Sequence, residues 1–135
     1  MAAITIAASR DRHEPHRTID LFDILQVIGE PAITSDWQCS NVECIGSGAE
    51  HLQQLADYGQ RISGGMFVQI AATITQTWDG SFRAFRTPEG APWLVIWAVD
   101  GIEFDVECHD ERIIAMVKAS FPDARDVPDA AESDR

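Results

Sequence analysis

The spacing of apolar residues predicts a first helix soon after residue 17. Leu21, Leu25 and Ile28 recur at the three- and four-residue intervals that place side chains on one face of a helix. Thr18 is the predicted N-cap of this helix, and Gly29 ends it, because glycine readily adopts the backbone conformation that follows a last helical turn.

Two further helices are predicted from their end signals. Ser47 and Glu50 have the spacing of a capping box, in which each side chain bonds the backbone N–H of the other residue. Asp110 is the predicted N-cap of the last helix. Residues 64–74 fit both a helix and a strand, and we favour a short helix that becomes a strand near Thr73.

Most of the remaining chain has the composition and alternation of strands. Residues 36–46 predict one strand or two short ones, because the turn-prone pair Ser40-Asn41 lies in the middle. The pairs Asp79-Gly80 and Asp100-Gly101 each separate two β-rich runs, which is the strongest local signal for a tight hairpin. Four consecutive antiparallel strands are therefore expected from about Thr73 to Cys108.

These elements together predict a single α+β domain over residues 18–122. Its sheet would have about four to five antiparallel strands built from consecutive hairpins, with two to four helices packed on one face. A length of 135 residues, 45% of them hydrophobic, is suited to one core. Residues 1–17 are expected to form a flexible tail and residues 123–135 an acidic C-terminal tail.

The second predicted hairpin contains the most distinctive pattern in the chain. With Asp100 and Gly101 as a two-residue loop, Trp97 would face Phe104 across the hairpin. One face would then be apolar throughout and buried, with Trp93, Val95, Trp97, Val99, Ile102, Phe104, Val106 and Cys108. The other face would carry a row of carboxylates on a strand near a sheet edge, from Glu103, Asp105 and Glu107.

This acidic row has two interpretations. Outward charge on an edge strand prevents pairing with other sheets, which is the simpler explanation. Alternatively, alternate residues on a strand lie about 6.6 Å apart, a spacing of the same order as that of successive phosphates in a nucleic acid. The row could therefore imitate a phosphate backbone. Trp78 and Arg83 of the first hairpin are further candidates for a partner-binding surface, since both residue types are frequent at interface hot spots.

The charge of the chain is strongly negative and unevenly distributed. The net charge is −12, and residues 18–60 hold seven carboxylates without a single lysine or arginine. Such a field steers a protein toward basic partners and opposes direct binding to nucleic acid or to an anionic membrane. No run of apolar residues is long enough to span a bilayer and no signal peptide is recognisable, so a cytoplasmic location is expected.

The residues that could carry chemistry do not form a known motif. Three cysteines without a secretion signal predict reduced thiols, and an odd spacing would place Cys39 and Cys44 on opposite faces of a strand. Cys108 and His109 are neighbours that would point apart, which does not suit a nucleophile and its base. We therefore expect no catalytic residue, metal or cofactor.

Three functional hypotheses follow. The first is a non-enzymatic acidic protein that docks on a basic protein partner as an inhibitor, immunity-type or nucleic-acid-mimic factor. Its partner-binding residues would be Glu103, Asp105, Glu107, Trp78 and Arg83. The second is a small enzyme or phosphate-ligand-binding domain with a site between Gly46 and Glu50, near Cys44, His51 or His109. The third is a self-association module that uses Trp78, Phe82 and Phe85.

Overall fold

Helices cover one face of an antiparallel sheet in the computed structural model, which describes residues 1–8 and 19–127. Within those residues the sheet has seven strands in the order β3-β2-β4-β5-β6-β1-β7: β1 Ala2–Ala7, β2 Asp36–Gly46, β3 Ile62–Ser63, β4 Ile74–Phe85, β5 Leu94–Val99, β6 Glu103–Cys108 and β7 Arg125–Asp126. The five helices are α1 Leu21–Ile28, α2 Glu30–Thr34, α3 Ala49–Asp57, α4 Gly64–Ala71 and α5 Glu111–Ser120. The predicted α+β class and the antiparallel sheet are confirmed, but the sheet has more strands than the four to five expected.

The core lies between the helices and one face of the sheet, which we call the core face. Trp37 stacks on Phe67 with ring centroids 4.5 Å apart, and Phe67 in turn contacts Phe82 at 5.9 Å. The Trp37 indole nitrogen donates a hydrogen bond of 2.8 Å to the carbonyl oxygen of Ala32, which joins β2 to α2. We call the opposite face of the sheet the outer face.

Helix ends agree with the sequence at some positions and differ at others. The Asp110 carboxylate accepts a hydrogen bond from the Arg112 backbone nitrogen and caps α5, as predicted. The expected capping box of Ser47 and Glu50 is wrong, because the N-cap of α3 is Gly48 and no side chain caps this helix. Thr18 lies outside the described residues, and Asp20 is the N-cap of α1.

The transition from helix to strand near Thr73 is confirmed, but the first predicted hairpin is wrong. Strand β4 runs without interruption through Asp79 and Gly80, so residues 73–108 form three strands rather than four. Gly80 has little space for a side chain, because a Cβ there would be 2.9 Å from the Phe82 ring and 3.2 Å from Val42. The glycine is needed for close packing within an extended strand and does not form a turn.

The second hairpin exists, but its register differs by one residue from the predicted one. Asp100 and Gly101 form the turn with positive φ angles of 53° and 71°, and the Ile102 N–H donates to the Val99 carbonyl as in a two-residue loop. Ile102 is then an extra residue, so that Val99 pairs with Glu103. Such a bulge reverses the faces of all following residues. Trp97 consequently pairs with Asp105 on the outer face. The expected burial of Trp97, Val99 and Ile102 is wrong, because Trp97 and Val99 are partly exposed and Ile102 is exposed.

The expectation of a flexible tail over residues 1–17 is corrected for its first part. Residues 2–7 form β1, which lies between β6 and β7 and places Ile4 and Ile6 in the core. Strand β6 is therefore internal and not near an edge. Residues 9–17 lie outside the described residues, as do residues 128–135 of the predicted acidic tail, whereas Arg125–Asp126 pairs with β1 as β7.

The stacked core predicts a large loss of stability when its central indole is removed. Trp37→Ala should lower the free energy of unfolding by about 3–5 kcal/mol, because it leaves a cavity beside Phe67 and an unpaired Ala32 carbonyl. Urea denaturation followed by circular dichroism measures this change. Tyr58, which is 83% exposed, is the control, and Tyr58→Ala should change stability by less than about 0.5 kcal/mol. Similar midpoints for the two variants would contradict this assignment of the core.

Candidate partner-binding surface

The predicted acidic row lies on the outer face, but two of its three members are buried. Asp105 and Glu107 are only 3% and 5% exposed, while Glu103 is partly exposed. The Thr5 hydroxyl donates a hydrogen bond of 2.6 Å to the Asp105 carboxylate from the neighbouring strand β1. Burial raises the pKa of Glu107, and the positive amino terminus offsets part of this effect. Asp105 and Glu107 are therefore not surface charges that a docking partner can contact directly.

A different exposed site is formed by a bulge in β4. Glu43 of β2 pairs with Asp79, but the next residue, Cys44, pairs with Thr77, which makes Trp78 the extra residue. Cys44 and Thr77 point into the core, whereas Trp78 is 39% exposed. The bulge thus allows a large aromatic side chain to meet solvent next to buried neighbours on the same strand.

The turn between β5 and β6 packs directly against this bulge. The Gly101 backbone nitrogen donates to the Trp78 carbonyl oxygen at 2.8 Å, and the Asp100 backbone nitrogen donates to Asp79 Oδ1 at 3.1 Å. A Cβ at Gly101 would be 2.9 Å from Trp78 Cδ1, so only glycine allows the turn to approach the indole this closely. One backbone hydrogen bond and one bond to a side chain therefore join β4 to the turn.

These contacts bring three carboxylates and three exposed apolar side chains together across β2, β4 and the turn after β5. We call this surface the Trp78 patch, and it consists of Glu43, Asp79 and Asp100 with Ile45, Trp78 and Ile102. Within the described residues, no salt bridge involves any of the three carboxylates. The patch therefore combines exposed apolar side chains with carboxylates that form no ion pair with the described residues.

The basic side chains that the structure describes have other positions. Arg61 and Arg86 cover aromatic rings, and Arg112 and Lys118 pair with Asp110 and Asp126 at 3.3 Å and 2.9 Å. Arg83 lies on the outer face, and Arg125 lies on the edge strand β7. None of these six side chains forms an ion pair with the Trp78 patch.

The structure separates the five residues that the sequence suggested for partner binding. Trp78 belongs to the Trp78 patch, and Glu103 directly follows its member Ile102, whereas Asp105, Glu107 and Arg83 lie elsewhere on the outer face. Sequence reasoning missed Glu43, Asp79 and Asp100 as members of one site. The two Asp-Gly pairs did mark acidic positions, of which Asp100 is exposed and Asp79 is partly exposed, but no sequence signal indicates that a bulge brings them to Trp78.

The glycines of the alternative site between Gly46 and Glu50 are explained by packing. Cβ atoms at Gly46 and Gly48 would collide with Thr73, at its carbonyl oxygen and its hydroxyl respectively, so both glycines permit close packing of β2 and α3 on the start of β4. His109 does not join this site. It directly follows the last residue of β6 and lines a cavity of about 520 Å³ together with Arg86 and Trp93.

The cysteines lie in the core, and the expectation that Cys39 and Cys44 point to opposite faces is wrong. Asn41, with a φ of 54°, forms a bulge between them that shifts the alternation, so both thiols point to the core face. Burial raises the pKa of Cys39 to about 12 and that of Cys44 to about 11. Cys108 is also buried, and its pKa is raised. In the described part of the chain, no three His, Cys, Asp or Glu side chains are placed to hold a metal ion.

The raised pKa values predict that these thiols resist alkylation in the native state. At pH 8, a pKa of about 12 leaves on the order of one Cys39 thiol in ten thousand ionised, and the thiolate is the reactive form. Native protein treated with iodoacetamide at pH 8 should therefore remain unlabelled by mass spectrometry, whereas protein in guanidinium should take up three labels. A Tyr58→Cys variant supplies an exposed thiol and should label once under native conditions. Rapid labelling of the native wild-type chain would contradict the burial of its cysteines.

Comparison of this chain with protein-family models, with curated proteins and with solved structures found no match. The helices formed by residues 1–8 and 19–127 include none with the length and apolar composition needed to cross a membrane.

Proposed function

We propose that this protein is a non-enzymatic binding protein that docks on a basic surface of a protein partner through the Trp78 patch. The observation that carries the proposal is an exposed tryptophan grouped with three carboxylates that have no cation paired to them in the described structure. The net charge of −12 adds long-range attraction for a basic partner.

The arrangement of the Trp78 patch resembles that of protein interfaces in general. Tryptophan is enriched among residues that dominate binding energy, and apolar contact at the centre of an interface is usually surrounded by polar groups. Here Ile45, Trp78 and Ile102 can provide the apolar contact, and the carboxylates can provide the polar surroundings. Carboxylates also accelerate association with a basic partner and select against acidic ones.

The Trp78 patch lowers the stability of the isolated protein, which supports a role in binding. Glu43 and Asp79 are direct partners on neighbouring antiparallel strands, and like charges in such positions destabilise a sheet. Exposed apolar side chains on the same surface forgo the stabilisation of burial. A cationic partner with an apolar contact surface would remove both penalties at once.

The proposal includes the finer possibility of an inhibitor, immunity-type or nucleic-acid-mimic factor. A small acidic domain that covers the basic site of a nucleic-acid-handling protein would act by exclusion, without chemistry of its own. The support for this role is the combination of negative charge and a rigid surface built on strands, because rigid elements lose little entropy on binding.

A matched pair of variants tests whether the Trp78 patch, and not charge alone, retains a partner. Glu43→Gln, Asp79→Asn and Asp100→Asn together remove three charges, while Asn at 79 keeps the oxygen acceptor and Asn at 100 tolerates the positive φ. The immobilised triple variant should lose a basic protein that the wild-type chain captures from an extract of its source organism at 50 mM salt. Quantitative mass spectrometry measures the retained amount.

The control variant carries the same change in net charge at a distance from the patch. Asp36→Asn, Asp57→Asn and Glu89→Gln alter three exposed carboxylates outside the patch, and Asp36 precedes Glu43 by seven strand residues, or about 20 Å. This control should retain the partner nearly as well as the wild-type chain. Equal losses with both triple variants, or no loss with the patch variant, would overturn the proposed docking surface.

A further inference from the structure

We infer that the Trp78 patch recognises an arginine side chain of the partner, which stacks on the Trp78 indole and pairs with the carboxylates beside it. The inference rests on the proposed function and names the chemical group through which docking occurs. It follows from how this chain covers its other aromatic rings, from the geometry of the carboxylates and from the close packing of Gly101 beside the Trp78 indole.

The chain covers two other aromatic rings with its own arginines. The Arg61 guanidinium lies 3.7 Å from the centroid of Phe85, and the Arg86 guanidinium lies 4.2 Å from that of Trp93. Both rings are buried, whereas Trp78 remains substantially exposed. No cation lies over the Trp78 ring among the residues that the structure describes. A guanidinium over Trp78 would give this indole the arrangement that Arg61 and Arg86 give to Phe85 and Trp93.

The carboxylates beside Trp78 are placed to accept hydrogen bonds from such a guanidinium. Asp79 uses Oδ1 to accept the backbone N–H of Asp100, so its second oxygen can accept another donor. Glu43 lies opposite Asp79 on β2 and is exposed, and its side chain forms no hydrogen bond or ion pair with the described residues. A guanidinium has five N–H donors in one plane and can therefore stack on a ring while it bonds carboxylates at the edge of that plane.

The same geometry favours arginine over lysine. An ammonium group is compact and strongly hydrated, so it gains less from stacking and cannot bond two carboxylates in a flat, forked arrangement. Tryptophan offers the strongest cation-π interaction of the aromatic side chains. The turn packs closely beside the indole, since a Cβ at Gly101 would lie 2.9 Å from Trp78 Cδ1.

Two peptides of equal charge distinguish arginine recognition from general attraction of cations. One is an acetylated and amidated octapeptide of alternating arginine and glycine, and the other replaces every arginine by lysine. Both are titrated at 20 mM salt into the full chain labelled with ¹⁵N, and the indole N–H signal of Trp78 is identified from its absence in Trp78→Phe. The arginine peptide should bind about two- to fivefold more tightly than the lysine peptide, as expected for one cation-π contact at an exposed site.

The Trp78 variants decide whether this preference arises from the ring. Trp78→Leu should reduce the preference for arginine, because only the carboxylates then distinguish the two peptides, while Trp78→Phe should keep more of it. The amide spectra report whether each variant is folded. Equal binding of the two peptides to the wild-type chain, weakened by Glu43→Gln, Asp79→Asn and Asp100→Asn, would overturn arginine recognition and leave the proposed acidic docking surface in place. Failure of both peptides to bind at millimolar concentration would overturn the docking surface as well.

Discussion

Side chains on a strand alternate between two faces, and interruptions of this alternation in β2, in β4 and after the β5–β6 turn help to determine what the sheet buries and what it exposes. A bulge at Asn41 turns both Cys39 and Cys44 toward the core. A second bulge makes Trp78 an extra residue on β4, and a third makes Ile102 an extra residue after the β5–β6 turn. Each bulge shifts the positions that follow by one residue, so the composition of both sheet faces depends on them.

The second and third bulges meet, and their contact forms the Trp78 patch. Two backbone hydrogen bonds, from Gly101 to Trp78 and from Ala8 to Ile102, anchor the turn between β4 and β1. Because these bonds join main-chain atoms of neighbouring strands, the exposed indole and the carboxylates near it are held by the sheet itself. A surface fixed in this way loses little conformational entropy when a partner binds, which suits recognition of a defined group such as a guanidinium.

Some signals that act over a few residues could be read from the sequence, although the capping box at Ser47 and the hairpin at Asp79-Gly80 were wrong, and signals that depend on distant contacts could not be read. The Asp110 cap, the change from helix to strand near Thr73 and the turn at Asp100 and Gly101 are local, and the structure has all three. The bulge at Ile102 depends on hydrogen bonds from β1 and to β4, which hairpin chemistry alone does not reveal. The burial of Asp105 likewise depends on β1, whose short alternation at Ile4 and Ile6 gave too weak a signal to predict a strand.

The proposed role of the Trp78 patch requires Trp78 to be an exposed indole in a negative local field, and fluorescence quenching tests this directly. Caesium and iodide ions quench exposed tryptophans, and a negative field concentrates the cation and repels the anion within about 10 Å at 0.1 M salt. Relative to a neutral tryptophan amide, the fluorescence component that disappears in Trp78→Phe should be quenched more strongly by caesium than by iodide. Equal normalised quenching by the two ions, or caesium quenching that persists unchanged in Trp78→Phe, would contradict the account.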